Sequence, residues 1–304
     1  MVCPSRVGLA DQRHVSGTTG TFGAAAAISK FLGLSAEQFF HAFGHATSLA
    51  AGTRASFGSD TKTIHMGRGA QNGILAAFLA EQEFDTGINP IEYWGKLVSP
   101  TVDIKYLTAE IGKRWELSEN TFKPYPCGIV IHPLIDGGQK LREKGITSQE
   151  VVRLEVKVNP QCVRLCSIRH PRTQLECIFS LYHGCAVGLL YGKVGRKEVS
   201  AEICNNVEVA SIRDRIHVTT DSQIADDAAQ VKAILTDGSE VEEFIEHAKG
   251  SLANPLTEKE IEAKFVDQAE ELLGMEKCQD IMMVCWNLEE LDDVSNLTKL
   301  CSIG

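Results

Sequence analysis

One short segment combines lysine and histidine, with an arginine on either side, in the way that acid–base chemistry on an anion requires. Residues 59–65 (SDTKTIH) read as a polar loop between two apolar helices. In such a loop Lys62 can hold a carboxylate while His65 moves a proton, and loops on rigid scaffolds often carry sites. Arg54 and Arg68 flank the segment and could add bidentate carboxylate contacts. A solvated loop without chemistry is the alternative, which composition alone favours.

A glycine-rich stretch, residues 17–23 (GTTGTFG), opens the first apolar helix and contains Gly17 and Thr18. A turn of this kind exposes backbone N–H groups and the positive end of the helix dipole, which suit a carboxylate or phosphate. Its spacing does not match a dinucleotide-binding fingerprint. Close helix packing explains the glycines equally well. His14, just before the turn, could be an acid, a base or an anion donor, although a lone histidine is more often structural.

The third candidate segment, residues 122–127 (FKPYPC), is followed by His132. Its two prolines stiffen the chain and would hold Lys123 at a fixed angle. His41 and His45 stand four residues apart on a predicted helix, a spacing that can bind a metal. Without the glutamate of HExxH or a third ligand, surface or packing roles fit them better, and no metal site is predicted.

Helices must position these residues in the first third of the chain, which is rich in Ala, Gly and Leu. The pattern predicts one helix over residues 21–32, a second capped by Ser35, and a third over residues 69–81. Small residues on adjoining helices let their backbones approach closely. This part therefore reads as a compact all-α unit.

The sequence pattern changes after about residue 116. Alternating β-branched residues at 151–158 predict a strand, and residues 215–219 and 229–235 predict two more. Residues 179–191 are apolar enough for a buried helix, so this region reads as a smaller α+β domain. Residues 255–273 return to helix, with Thr257 and Glu260 as a capping box and Gly274 as the stop. The last thirty residues have no clear pattern.

The overall composition excludes several classes of function. A net charge of −10 argues against a nucleic-acid partner, because phosphate binding needs a basic face. No apolar run reaches the roughly 18–20 residues that a membrane span needs. The opening residues carry no secretory signal, so we expect a cytoplasmic protein, or a mitochondrial one if a longer N-terminus exists. Ten cysteines in 304 residues are too sparse for a disulfide scaffold and read as buried thiols.

Three segments, at residues 14–38, 59–80 and 122–136, occur together in an order and spacing that resemble the MmgE/PrpD family. This family includes 2-methylcitrate dehydratases, cis-aconitate decarboxylases and an iminodisuccinate epimerase. The resemblance runs from about His14 to Gly274. The combination of the three segments is specific, whereas any one alone would not be.

The resemblance implies a mainly α fold, with an all-helical domain joined to a smaller α+β lid domain. The domains would be residues 1–116, with the family's N-terminal helices missing, residues 117–250 as the α+β part, and residues 251–304 returning to the helical domain. It also implies a homodimer that binds a small polycarboxylate in a site without a metal or other cofactor.

The resemblance also implies site residues. Lys62 and Lys123 would hold substrate carboxylates and stabilise enolate-like charge, and His14 would bind a carboxylate or transfer a proton. The residues expected to contact the substrate beside them are His65, Arg68, Gly17 and Thr18. This chain departs from the decarboxylase branch at Gly128, where that branch has a histidine, and roughly at Leu165, where it has a tyrosine.

The resemblance implies a cofactor-independent lyase, a dehydratase or decarboxylase of a small di- or tricarboxylic acid such as 2-methylcitrate or cis-aconitate. One alternative is an epimerase or isomerase that uses the same carbanion without expelling a group. Another is a shortened paralogue that binds carboxylates without catalysis, supported by the missing N-terminal histidine of the family.

Overall fold

The computed structural model describes residues 13–56, 59–99 and 101–302. The chain divides into two compact units, Met1–Trp115 and Glu116–Gly304. The prediction that no secretory leader is present concerns residues 1–12, which lie outside the described residues. Among the helices that are described, none combines the length and the apolar character needed to cross a membrane.

The first unit is helical, as predicted. Its helices are α1 (Val15–Phe31), α2 (Ala36–Leu49), α3 (Thr61–Glu81) and α4 (Pro90–Val98). Small residues bring α1 and α3 together: a Cβ added at Gly73 would lie 2.4 Å from the Cβ of Ala24. Ala25, Ala46 and Ala76 are fully buried in the same packing. Ser35 caps α2 through a capping box with Gln38, which confirms the predicted start.

Two of these helices begin earlier than predicted, α1 at Val15 and α3 at Thr61. The prediction that residues 59–65 form a loop is therefore wrong for all but the first two of them. The two starts are helical because they pack closely on each other, with the Ser16 carbonyl oxygen 3.0 Å from a Cβ added at Gly69. Their hydroxyls find acceptors within the same segment: Thr19 donates to the carbonyl of Val15 at 2.9 Å, and Thr63 donates to that of Asp60 at 2.6 Å.

A four-stranded mixed sheet forms the β part of the second unit. Its strands are β1 (Val151–Val158), β2 (Ile216–Thr220), β3 (Ala229–Leu235) and β4 (Glu240–Ile245), in the order β2-β1-β3-β4. The pair β1–β2 is parallel, and β1–β3 and β3–β4 are antiparallel. The bounds of β1 and β3 are those predicted, and β2 lies one residue later. The strand β4 was not predicted.

Helices cover the sheet and complete the α+β part. They are α5 (His132–Glu143), α6 (Pro160–Cys166), α7 (Gln174–Cys177), α8 (Leu181–Tyr191), α9 (Ala201–Cys204) and α10 (Val207–Asp214). The central helices α5 and α8 cross closely, since a Cβ added at Gly188 would lie 2.6 Å from the carbonyl oxygen of Ile135. Almost every residue in the first two turns of α5 is buried, so its polar side chains must find partners inside the protein.

The C-terminal part of the second unit is helical. It consists of α11 (Glu258–Leu273), α12 (Met275–Trp286) and α13 (Ser295–Leu300). Thr257 and Glu260 form the predicted capping box of α11, and Gly274 ends the helix. The last thirty residues, which the sequence pattern left unplaced, thus supply two helices. A mainly α fold with a smaller α+β part is confirmed.

Candidate active site

The first candidate cluster lies where the start of α1 meets the start of α3. His14 is the residue before α1 and is 8% exposed. Its backbone N–H donates to the carbonyl of Gly52 at 3.2 Å, beside a short bridge between Arg13 and Thr53. Because α3 begins at Thr61, His65 lies one turn into that helix and its side chain reaches His14. The early start of α3 thus builds the cluster.

The two imidazole rings of this cluster are within hydrogen-bond distance of each other. The Nδ1 atoms of His14 and His65 lie 3.0 Å apart, with ring centroids separated by 5.2 Å. One nitrogen must therefore donate while the other accepts. Burial lowers the pKa of His14, and the charges of His65, Lys62 and Arg54 lower it further. His14 is therefore neutral at pH 7, with a ring nitrogen that can accept a proton.

The cations that were predicted near this site differ in their exposure and in the groups that they contact. Lys62, one turn before His65, is partly buried, and its charge and that of Arg54 act on His14. Arg68 is exposed, and its guanidinium donates to the Gln71 side chain on the same helix at 2.7 Å. The structure thus brings Lys62, His65 and His14 together and gives Arg68 a contact on the surface of α3.

Gly17 and Thr18 lie inside the first turn of α1 and not in a turn before it. Their backbone N–H groups donate to the carbonyl of His14 at 3.1 and 3.2 Å, and the Thr18 hydroxyl donates to the same carbonyl at 3.1 Å. A Cβ added at Gly17 would lie 2.4 Å from the carbonyl oxygen of Ala51 and 3.1 Å from the Cβ of His65. These contacts let α1 and α3 approach and fix His14. A contact of either residue with substrate stays a prediction.

Lys123 belongs to the second unit, where its segment is held from two sides. Its ammonium donates to the carbonyl of Cys127 at 3.1 Å, within the proline-stiffened segment. The N–H of Phe122 donates to the carbonyl of Gly250 at 3.2 Å. Gly250 has φ +85°, and a Cβ there would lie 2.0 Å from the Phe122 carbonyl oxygen. Only glycine fits this turn, and the turn fixes the chain just before Lys123.

His132, at the start of α5, is a buried neutral base. It is 1% exposed and packs edge-on against Tyr125, with ring centroids 5.2 Å apart. Burial, followed by the charge of Lys123, lowers the pKa of His132 to about 3. Within the described residues, its Nε2 has no hydrogen-bond partner.

A buried polar group on α5 was missed by sequence reasoning. Asp136 and Tyr125 are each 8% exposed, and the Tyr125 hydroxyl lies 2.5 Å from Asp136 Oδ1 and 2.8 Å from Gln139 Oε1. Asp136 Oδ2 accepts the backbone N–H of Lys249 at 2.7 Å. A pocket of about 820 Å³, within the range typical of small-molecule sites, has these side chains and Lys264 in its lining. No helix was predicted at this position, so nothing in the sequence pattern indicated that Asp136 would be buried.

The histidine pair on α2 has a packing role. His41 contacts the Thr86 hydroxyl at 3.2 Å, and His45 contacts the carbonyl of Phe84 at 3.1 Å. Both fasten the turn that follows α3. In the described ranges, no three His, Cys, Asp or Glu side chains gather as metal ligands would.

Comparison with known proteins identifies the family of this chain. The MmgE/PrpD N-terminal domain matches residues 2–92 and the MmgE/PrpD C-terminal domain matches residues 125–288. The cis-aconitate decarboxylases of Mus musculus and Homo sapiens are each 25% identical over 305 residues, covering 94% of this chain and 62% of theirs. That of Aspergillus terreus is 23% identical over 316 residues, with 94% and 64% covered. The chain therefore spans less than two thirds of the length of these relatives. Since the two matched domains account for most of its residues, the chain belongs to the MmgE/PrpD family.

Proposed function

We propose that this protein is a lyase that forms or consumes a C=C bond in a small di- or tricarboxylic acid, with no cofactor. The observation that carries the proposal is the His14–His65 pair, with Nδ1 atoms 3.0 Å apart and the charges of Lys62 and Arg54 acting on it. A neutral imidazole beside two cations has the parts needed to take a proton from a carbon next to a carboxylate.

In the proposed dehydration, neutral His14, which is hydrogen-bonded to His65, removes the proton α to a substrate carboxylate. The C–H electron pair then becomes an enolate-type dianion, which Lys62 and Arg54 stabilise by charge. In dehydration, the β-hydroxyl leaves with a proton as water. In decarboxylation no proton is removed first: loss of CO₂ creates the carbanion, and His14 passes to it a proton taken up from water. Both routes balance without an oxidant or reductant.

The comparisons support the class of reaction more than the branch. The relatives named above are cis-aconitate decarboxylases. That activity is known for the relatives, and their likeness to this chain supports a lyase that acts on a carboxylic acid. At Gly128, where the decarboxylase branch carries a histidine, a Cβ would lie 2.7 Å from Cys166 Sγ. A histidine would not fit there without a shift of Cys166. We therefore propose the lyase class without assigning its branch.

Two further parts of the proposal come from the family resemblance. Lys123 would contact a carboxylate of the substrate, and the protein would act as a homodimer. Sedimentation velocity of the purified protein tests the second point, since a single species at the mass of one chain would contradict it.

Product analysis by NMR tests the proposed function. The protein would be incubated in D₂O separately with cis-aconitate, 2-methylcitrate and citrate. A lyase gives a new alkene, loss of CO₂ or hydration of a double bond, and the conversion should be lost in Lys62→Ala and in His14→Gln. Lys30→Ala, on the exposed end of α1, is the matched control and should keep it.

Two other outcomes would replace the proposal. Incorporation of deuterium at the α-carbon without a new product would assign an epimerase or isomerase, which uses the same carbanion. Neither conversion nor exchange, in a protein shown to be folded, would contradict catalysis on these acids and leave a carboxylate-binding role.

A further inference from the structure

The hydrogen bonds around Asp136 require one more proton than the tyrosine supplies. A tyrosine hydroxyl has a single hydrogen, yet the Tyr125 oxygen lies within hydrogen-bond distance of two acceptors, Asp136 Oδ1 at 2.5 Å and Gln139 Oε1 at 2.8 Å. The amide nitrogen of Gln139 donates to the carbonyl of Gly192 at 3.3 Å, which turns its oxygen toward Tyr125. A proton on Asp136 satisfies the arrangement: Asp136 donates to Tyr125, and Tyr125 donates to Gln139.

The surroundings of Asp136 allow that proton. Burial raises the pKa of its carboxyl group. The hydrogen bonds from Tyr125 and Lys249 and the charges of Lys140 and Lys249 lower this pKa, but burial is the largest effect. The Cys127 thiol interacts with Asp136 electrostatically, and Glu260 of α11 lies 3.0 Å from the Lys249 ammonium. One carboxyl oxygen then remains an acceptor for the Lys249 N–H, so a neutral acid leaves no partner unsatisfied.

These bonds close a ring around Lys123. Asp136 binds Tyr125, two residues after Lys123, and it also binds the N–H of Lys249. The next residue, Gly250, accepts the N–H of Phe122, directly before Lys123. The segment that carries Lys123 is thus held at both ends, and both attachments lead to Asp136, directly through Tyr125 and through the turn at Lys249.

From this ring we propose that Asp136, as a protonated carboxylic acid, is a positioning residue that sets the place of Lys123. The inference rests on the proposed role of Lys123 as a contact for a substrate carboxylate. Asp136 itself touches no substrate in this scheme. A neutral amide in its place should do the same work, because Asn can donate to Tyr125 and accept from Lys249.

The test compares three variants by a readout that needs no turnover. The protein would be labelled with ¹⁵N-lysine, and the amide resonance of Lys123 assigned by its absence from Lys123→Arg. We expect that resonance to keep its position in Asp136→Asn and to move in Asp136→Ala and in Tyr125→Phe. Asp267→Asn, an exposed acid that lines the same pocket, is the matched control and should leave it in place.

Turnover of the acid identified by product analysis gives the second readout. Asp136→Ala should lower kcat/KM by about tenfold, the scale of one lost buried hydrogen bond, and Asp136→Asn should restore it. If Asn behaves like Ala in the NMR test, Asp136 acts as a carboxylate and the proposal fails. It also fails if no variant moves the Lys123 resonance. Should Asp136→Ala not fold, as judged by circular dichroism, Tyr125→Phe decides the same point.

If no acid is turned over, the NMR comparison still decides whether Asp136 positions Lys123. The failure of the proposed function would then be seen separately from the failure of this inference.

Discussion

At the scale of single residues, His14 depends on its neighbours for its protonation state. Burial is the first cause that lowers its pKa, followed by the charges of His65, Lys62 and Arg54. Each of these favours the neutral ring, since an imidazolium there would be poorly solvated and repelled by cations. The same cations that would hold a carboxylate thus keep the base ready to accept a proton.

A titration of His14 by ¹H NMR tests this coupling. In the wild-type protein its pKa should lie below the ordinary value of 6.5. In Lys62→Gln it should rise, because a lowering charge has been removed, and it should stay below 6.5 because burial remains. Lys30→Gln, at the far end of α1, should leave it unchanged. A wild-type pKa at or above 6.5 would contradict the environment described for His14.

Gly250 gives a second prediction at this scale, because its backbone conformation and its crowding can be separated. Gly250 has φ +85° and would place a Cβ 2.0 Å from the Phe122 carbonyl oxygen, whereas Gly238 has φ +83° with nothing within 4 Å. Gly238→Ala should cost about 1 kcal/mol of unfolding free energy from backbone strain alone. Gly250→Ala should cost several times more, measured by urea denaturation. Equal losses would show that the turn yields easily.

At the scale of elements, the sequence predicted most reliably where local chemistry decides the structure. The N-cap Ser35, the capping box at Thr257 and the alternating β-branched run of β1 were placed correctly. The missed elements were those that packing decides. The acidic strand β4 (EVEEFI) gains its place by pairing with β3, and the polar start of α3 becomes helical because it packs on α1.

The cap of α11 supports a prediction about helix stability. The Thr257 side chain accepts from the N–H of Glu260 at 3.3 Å, and Glu260 accepts from the Thr257 N–H at 2.8 Å. Thr257→Ala should lower the unfolding free energy by about 1 kcal/mol, as loss of an N-cap does. Thr257→Ser, which keeps the hydroxyl, should change it by a few tenths at most. A loss as large in the serine variant would point to the methyl group and away from the cap.

For the whole molecule, sequence reasoning found the residues that carry ordinary site chemistry and missed those whose meaning comes from burial. His14, Lys62 and His65 were singled out, and the structure joins them in one cluster. Asp136 and Gln139 were overlooked, because only the fold places them beside Tyr125. Nothing in a linear pattern shows that a tyrosine will have two acceptors and one hydrogen.

Burial also sets how stability should depend on pH, through two histidines of the second unit. His132 and His183 are 1% and 0% exposed, and burial is the first cause that lowers their pKa values to about 3 and about 4. In the unfolded chain both titrate near 6.5. As pH falls below 6.5 the unfolded state therefore takes up protons that the folded state does not, so stability falls. At pH 5 each histidine should cost about 2 kcal/mol relative to pH 7.

Urea unfolding at pH 7, 6 and 5, followed by circular dichroism, measures this loss for the unit that contains the histidines. The unfolded His183→Gln variant takes up only one of these two protons, so the fall in its unfolding free energy between pH 7 and pH 5 should be about 2 kcal/mol smaller than in the wild-type protein. His170→Gln, at an exposed position, is the matched control and should keep the wild-type slope. The glutamine variant is informative even if it is less stable at pH 7, because the slope and not the absolute stability carries the prediction.

If the wild-type protein were equally stable at pH 7 and pH 5, the two rings would have to be protonated in the folded state. That would require a partner for the His132 Nε2, which has none among the described residues.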